Sequence, residues 1–196
     1  MKPLRAAFAP LLLSAVCGLA QQQHVTWNLT VQPSTAPPGG KILATVAGRI
    51  DPGWHLYSGS SPAGIPITFQ AGPDNVVQSV RLFQPPPKRA FDKNFGADTE
   101  TYEDEVAFAV EVLLKQDAPA GAVELTLKPH YQTCSDTQCI PARWQGTAPL
   151  TIDPASSTAA VAIPPGYTEA KPPAVGSGAA KRARILTIQR PDKGQN

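Results

Sequence analysis

The chain has 196 residues, among them 22 Pro and 15 Gly, with 42% apolar and 16% charged side chains. This density of helix breakers excludes a helical bundle and a doubly wound α/β fold, which both need uninterrupted helical stretches, but leaves enough apolar material for one β-rich core. The net charge of +2 hides an acidic body and a basic end: residues 21–154 hold 9 Lys/Arg against 13 Asp/Glu, and residues 155–196 hold 6 against 2, so the folded part offers no footprint for nucleic acid.

Residues 1–20 read as an export signal. Lys2 and Arg5 form the positive start, Ala6 to Val16 the apolar stretch, and Gly18-Leu19-Ala20 a small-x-small cleavage site. Val16 stands before Cys17 where a lipid-attachment motif has Gly, Ala or Ser, so cleavage rather than lipidation is expected. Beyond position 20 no run of 18 apolar residues follows, and the mature chain is not expected to span a membrane. Removal of the signal leaves two cysteines, Cys134 and Cys139, in a periplasmic or extracellular compartment where disulfides persist.

Short runs of period two, separated by turn clusters, fill residues 21–154. Val25 to Val31 alternates and is broken at 33–40; Lys41 to Ile50 stops at Asp51-Pro52-Gly53. Trp54 to Tyr57, Ile65 to Gln70 and Val76 to Phe83 follow, the last closed by Pro85-Pro86-Pro87, which cannot pair on both sides. Val106 to Val112, Val123 to Leu127 and Arg143 to Ile152 complete seven or eight strands. That number in about 130 residues predicts an all-β, immunoglobulin-like antiparallel sandwich. From Ala155 the composition turns to Ala, Pro, Ser and Gly with a basic Lys181-Arg182-Ala183-Arg184 cluster, predicting a disordered tail or linker over 155–196.

Chemistry concentrates in His130-Tyr131-Gln132-Thr133-Cys134-Ser135-Asp136-Thr137-Gln138-Cys139-Ile140-Pro141. If the intervening segment turns, the two cysteines approach to the 5–6 Å between Cα atoms typical of a disulfide. So small a loop removes little entropy from the unfolded chain, which makes a poor staple and leaves room for a redox role. A structural disulfide, a redox pair and a metal site with His130, Cys134, Cys139 and His55 stay open on these residues alone. The metal reading lacks a second cysteine pair. There is no Gly-x-Ser-x-Gly elbow for hydrolysis, and Asn28-Leu29-Thr30 is a sequon of the short kind that arises by chance.

Tyr131-Gln132-Thr133-Cys134 followed by a short acidic loop and Cys139-Ile140-Pro141 resembles the active-site segment of the N-terminal periplasmic domain family of the thiol:disulfide interchange protein DsbD. Gly53-Trp54-His55-Leu56-Tyr57 is similar to that family's aromatic strand, and Asp92-Lys93-Asn94-Phe95-Gly96 with Tyr102-Glu103-Asp104-Glu105 to its cap-loop region. The resemblance spans Val25 to Ile152. It implies an immunoglobulin-like domain that takes electrons from a membrane-embedded thiol reductase and passes them to thioredoxin-like periplasmic proteins, in disulfide isomerisation or cytochrome c maturation, with no cofactor beyond the cysteine pair. By matched positions Cys139 would form mixed disulfides and Cys134 resolve them. His55, Tyr57, Phe95, Tyr131 and Asp136 would support the pair, His55 by favouring the thiolate.

The chain departs from the family pattern in three ways. Asn94 stands where a second cap aromatic is common, so only Phe95 is left to shield the disulfide. The loop between the cysteines is one residue shorter, and no membrane or thioredoxin-like module follows in this sequence; for a chain complete as given, a separately encoded donor is expected. A monomer is expected. The competing reading is a non-catalytic β-sandwich scaffold or binding module with one structural disulfide.

Overall fold

The computed structural model describes residues 23–171; the expected export signal and the basic cluster at 181–184 lie outside the described residues. Among the described residues there is no helix, and none that could cross a membrane. Thirteen strands form two sheets packed as an immunoglobulin-like sandwich: β1 (Val25–Gln32), β2 (Thr35–Ala36), β3 (Lys41–Ile50), β4 (His55–Tyr57), β5 (Thr68–Gly72), β6 (Val77–Gln84), β7 (Lys88–Asp92), β8 (Ala97–Tyr102), β9 (Glu105–Leu114), β10 (Gly121–Cys134), β11 (Cys139–Arg143), β12 (Gly146–Ile152) and β13 (Thr168–Glu169). One sheet runs β1-β3-β9-β6-β13. The other runs β2-β12-β10-β4-β8-β7, with β5 and β11 also paired to β10. All pairings are antiparallel except the two-residue β2–β12 contact.

Side-chain alternation builds the core. Ile42, Ala44, Val46 and Ile50 point inward from β3, Val106, Phe108, Val110 and Val112 from β9, and Leu125, Leu127 and Tyr131 from β10. Burying the Val, Ile, Leu and Phe side chains among them stabilises the fold by about 1.5–3 kcal/mol each. Gly48 faces Trp27 across the β1–β3 pair, and a Cβ there would fall 2.6 Å from the indole. The bare glycine lets the ring lie flat on the strand and reach Tyr131 edge-on at 5.2 Å.

Several elements differ from the sequence expectation. β10 is 14 residues long and runs through Pro129, although an interior proline normally argues against a strand. Its missing N–H falls where the ladder is already interrupted, because β10 pairs with β12 up to Leu127 and with β11 from His130. The run expected from Ile65 becomes ordered strand only at Thr68. The cap region forms a hairpin of two strands, β7 and β8, which raises the strand count above seven or eight.

Part of the segment expected to be tail is docked as well. β13 adds to the edge of β6, Arg81 holds Glu169 through two hydrogen bonds of 2.7 and 3.0 Å, and the Tyr167 hydroxyl donates to the Ala107 carbonyl. A two-residue strand within a Pro/Ala-rich stretch carries no periodicity to read.

Candidate functional site

Asp51-Pro52-Gly53-Trp54 is a turn closed by the Trp54 N–H on the Asp51 carbonyl at 3.1 Å, with Gly53 at φ +79°, as Pro-Gly at the centre of a type II turn requires. It delivers β4 against the end of β10, pairing His55 with Cys134. On the other side of β10, Cys134 faces Cys139 across the β10–β11 hairpin. His55, Cys134 and Cys139 therefore form one row over three strands, on the face of the sheet opposite the core.

The hairpin turns tightly, with the Ser135 N–H on the Gln138 carbonyl at 2.9 Å. The next pair outward from that hydrogen bond is the closely spaced, non-hydrogen-bonded one. It is bridged by a Cys134–Cys139 disulfide with a Cα separation of 4.1 Å, shorter than the 5–6 Å expected from general disulfide geometry. Cys134 is fully buried and Cys139 half-buried.

Tyr57, two residues beyond His55, projects from the same face. Its hydroxyl donates to Asp92 Oδ2 at 2.5 Å and lies 3.1 Å from His55 Nε2. The single Tyr57 proton is committed to Asp92, so the phenol oxygen accepts from an Nε2–H of His55; Nδ1 then carries the lone pair when the ring is neutral. His55 Nε2 is also 3.6 Å from Asp92.

Burial opposes ionisation of Asp92, yet the Tyr57 hydroxyl, the Asn94 amide and His55 together outweigh it and lower the carboxyl below its ordinary value of 3.8. Burial first, then the neighbouring carboxylate, pushes the Tyr57 phenol far up, so it stays a protonated donor. A group with a lowered folded pKa contributes stability that is complete above its unfolded value and lost as pH falls through the folded one. Asp92→Asn is accordingly expected to cost about 1–3 kcal/mol at pH 6. The gap in melting temperature from the parent should close below pH 3.8; a gap constant from pH 6 to pH 2 would show that the carboxylate charge is not what holds this contact.

Asp92 also shapes the cap. Its Oδ1 accepts the Asn94 N–H at 2.8 Å, an Asx turn, and Gly96 at φ +61° returns its N–H to the Asp92 carbonyl. The turn aims Asn94 Nδ2 at the Ser135 carbonyl, 3.3 Å away, in the loop between the cysteines. Phe95 stands edge-on against Tyr57, with centroids 5.7 Å apart. A groove of about 350 Å³ beside the pair is lined by His55, Asp92, Asn94, Thr99 and Asp136.

The structure thus gathers Cys134, Cys139, His55, Tyr57, Phe95 and Asp136 in one place. Tyr131 points the other way, into the core, since it is three positions from Cys134 on one strand. His130 is four positions away, and no cluster of three or more metal-ligating side chains exists among the described residues. Asp92 and Asn94 were not singled out as site residues in the sequence; an Asp followed two residues later by Asn, within a turn closed by Gly, is the Asx-turn signal that marks them.

Comparison with known proteins gives one family, described as thiol:disulfide interchange protein DsbD, N-terminal, which matches residues 21–150. No curated protein sequence matches. Among solved structures, the N-terminal periplasmic domain of ScsB from Proteus mirabilis is similar at 21% identity and TM-score 0.53, over 70% of this chain and 51% of that one. The chain thus spans about half the length of that relative. The reduced N-terminal domain of DsbD from Neisseria meningitidis aligns at 15% identity and TM-score 0.39, over 66% of this chain and 91% of that one. The complex of the DsbD and PilB N-terminal domains from the same organism aligns at 17% identity and TM-score 0.40, over 67% and 89%.

Proposed function

This chain belongs to the family of the N-terminal domain of the thiol:disulfide interchange protein DsbD, and from that membership we propose that it works in the periplasm as an electron relay, taking two electrons from a membrane-embedded thiol reductase and passing them to thioredoxin-like proteins through Cys134 and Cys139. The observation that carries the reading is the asymmetry of the pair: Cys134 is sealed within the sheet and Cys139 is half-buried at a hairpin end.

In the reduced protein the Cys139 thiolate attacks one sulfur of a partner disulfide, forming a mixed disulfide and expelling the partner's other sulfur as a thiolate. The Cys134 thiolate then attacks the Cys139 sulfur, closing the intramolecular bond and expelling the second partner thiolate. Two electrons pass to the partner, whose thiolates take up the two protons that the cysteines gave up. A donor dithiol runs the sequence in reverse. His55, the strand neighbour of Cys134, favours the thiolate when its ring is protonated; Tyr57 and Asp92 orient that ring. Phe95 and Asn94 form the cover over this end of the sheet.

Alkylation of the native protein after mild reduction tests the reading. One rapidly labelled sulfur, Cys139, is expected. A bond that stays closed until the protein unfolds would favour the scaffold reading instead.

A further inference from the structure

The face of the sheet that carries the disulfide carries a second feature two rows away. Thr68, His130 and Arg143 are register partners across β5, β10 and β11, and Lys128 pairs with Gln70 in the adjacent row. Directly paired residues share a face with Cβ atoms about 4.5–5.5 Å apart. His130 and Lys128 lie four and six residues from Cys134 on the same strand, so all three project from one side.

These side chains line a cleft of about 650 Å³ together with Gln23 and Gln145. The folded part is acidic, with 13 Asp/Glu between residues 21 and 154, yet no carboxylate lines this cleft. Neither Lys128 nor Arg143 has an ion pair among the described residues, whereas Lys41, Lys88 and Arg89 each have one and Arg81 has two; Arg49, Lys93 and Lys115 are without one as well, so it is the cleft free of carboxylates that sets Lys128 and Arg143 apart. The acids nearest in the fold, Asp74 and Glu124, line the adjoining groove with Lys128 rather than this cleft, and Lys128 and Arg143 are both exposed and of like charge. Glutamine amides and a threonine hydroxyl around them add neutral donors of the kind that bind carboxylates.

We propose that this cleft docks an acidic segment of the exchange partner and sets the partner's cysteine over Cys139. The proposal rests on the electron-relay reading above and adds the charge of the partner surface. The rows place the cleft about 13 Å from the disulfide, the length of four extended residues. The matching partner therefore carries Asp or Glu about four residues from its reactive cysteine. A shared face and strand favour a protein partner over an anionic lipid surface, since whatever binds the cleft is within reach of the disulfide.

The test uses the full protein and two synthetic dithiol peptides of one Cys-x-x-Cys sequence, extended from the fourth residue by four Glu or by four Lys, with dithiothreitol as a small reference reductant. At low salt the Glu peptide is expected to open the disulfide about tenfold faster than the Lys peptide, a preference that shrinks as salt is added. The Lys128→Gln/Arg143→Gln pair should erase it, and Lys128→Glu/Arg143→Glu should invert it. Dithiothreitol rates should be the same in all three proteins, which also reports that the exposed substitutions leave the fold intact. Equal peptide rates on the parent, or a preference that survives Lys128→Gln/Arg143→Gln, would overturn the docking role while leaving the relay standing. Cosedimentation with phosphatidylglycerol vesicles that needs Lys128 and Arg143, without any peptide preference, would reassign the cleft to a membrane surface. A disulfide that dithiothreitol opens and neither peptide does would remove the relay itself, and docking with it.

Discussion

Cys134→Ala is expected to accumulate mixed disulfides with partner proteins, on the order of tenfold or more above Cys139→Ala, when each variant is captured under conditions that freeze thiol exchange. The reason is geometric. In Cys134→Ala the half-buried Cys139 still attacks, and the sulfur that would release the partner is gone. In Cys139→Ala the remaining thiol belongs to a residue with no exposed surface. It sits between His55 on one side and the hairpin on the other, beneath a cap tied to the hairpin through Asn94 and Ser135. A partner sulfur therefore has no exposed surface of Cys134 to attack. The reverse ranking would exchange the roles of the two cysteines, and equal trapping would mean that the hairpin opens widely enough to erase the burial difference.

Losing the disulfide altogether should cost the fold little. Cys134 and Cys139 are only five positions apart, and closing so short a loop accounts for about 2 kcal/mol of unfolded-state entropy. For a domain of this size that is a fall in melting temperature of roughly 4–8 °C. The hairpin has other supports: the β10–β11 ladder from His130 to Cys134, the Ser135–Gln138 hydrogen bond and the inward-facing Tyr131. Cys134→Ser/Cys139→Ser should therefore unfold cooperatively with the same heat-capacity change as the parent. The pair itself should titrate at about −200 to −270 mV against glutathione or dithiothreitol, the range of working exchangers. A potential below about −300 mV, or collapse of the double variant, would identify a structural bond and return the molecule to the scaffold reading.

Legibility in the sequence followed the length of the signal. β3 was readable to its ends, because Ile42, Ala44, Val46, Gly48 and Ile50 alternate with less buried neighbours and Asp51-Pro52-Gly53 supplies the turn. β10 was readable only in its first half, since Lys128-Pro129 looks like a break until it is known that β10 changes partner there. The β7–β8 hairpin carries no apolar alternation, as Lys88 to Phe91 are all exposed on an edge strand. β13 owes its place to Arg81 and to the free edge of β6, which are 80 or more residues away in the chain.

The sequence by itself determined the β-sandwich class and the pairing candidates, because period-two burial and Pro/Gly turns are local properties of the chain. It also carried the identity of the redox segment, through the two cysteines and the residues flanking them. Only the tertiary structure decided which neighbours those cysteines have. His55 meets Cys134 because β4 is laid against β10, and Tyr57 meets Asp92 because β8 pairs with β4 and brings the cap with it. Tyr131 is turned inward by strand parity, although it is closer in sequence to Cys134 than His55 is. Register across non-adjacent strands likewise assembled Lys128, His130 and Arg143 on the disulfide's face. Composition predicted an acidic body; it held no information on where within that body the acids would be missing, since that depends on which strands lie side by side.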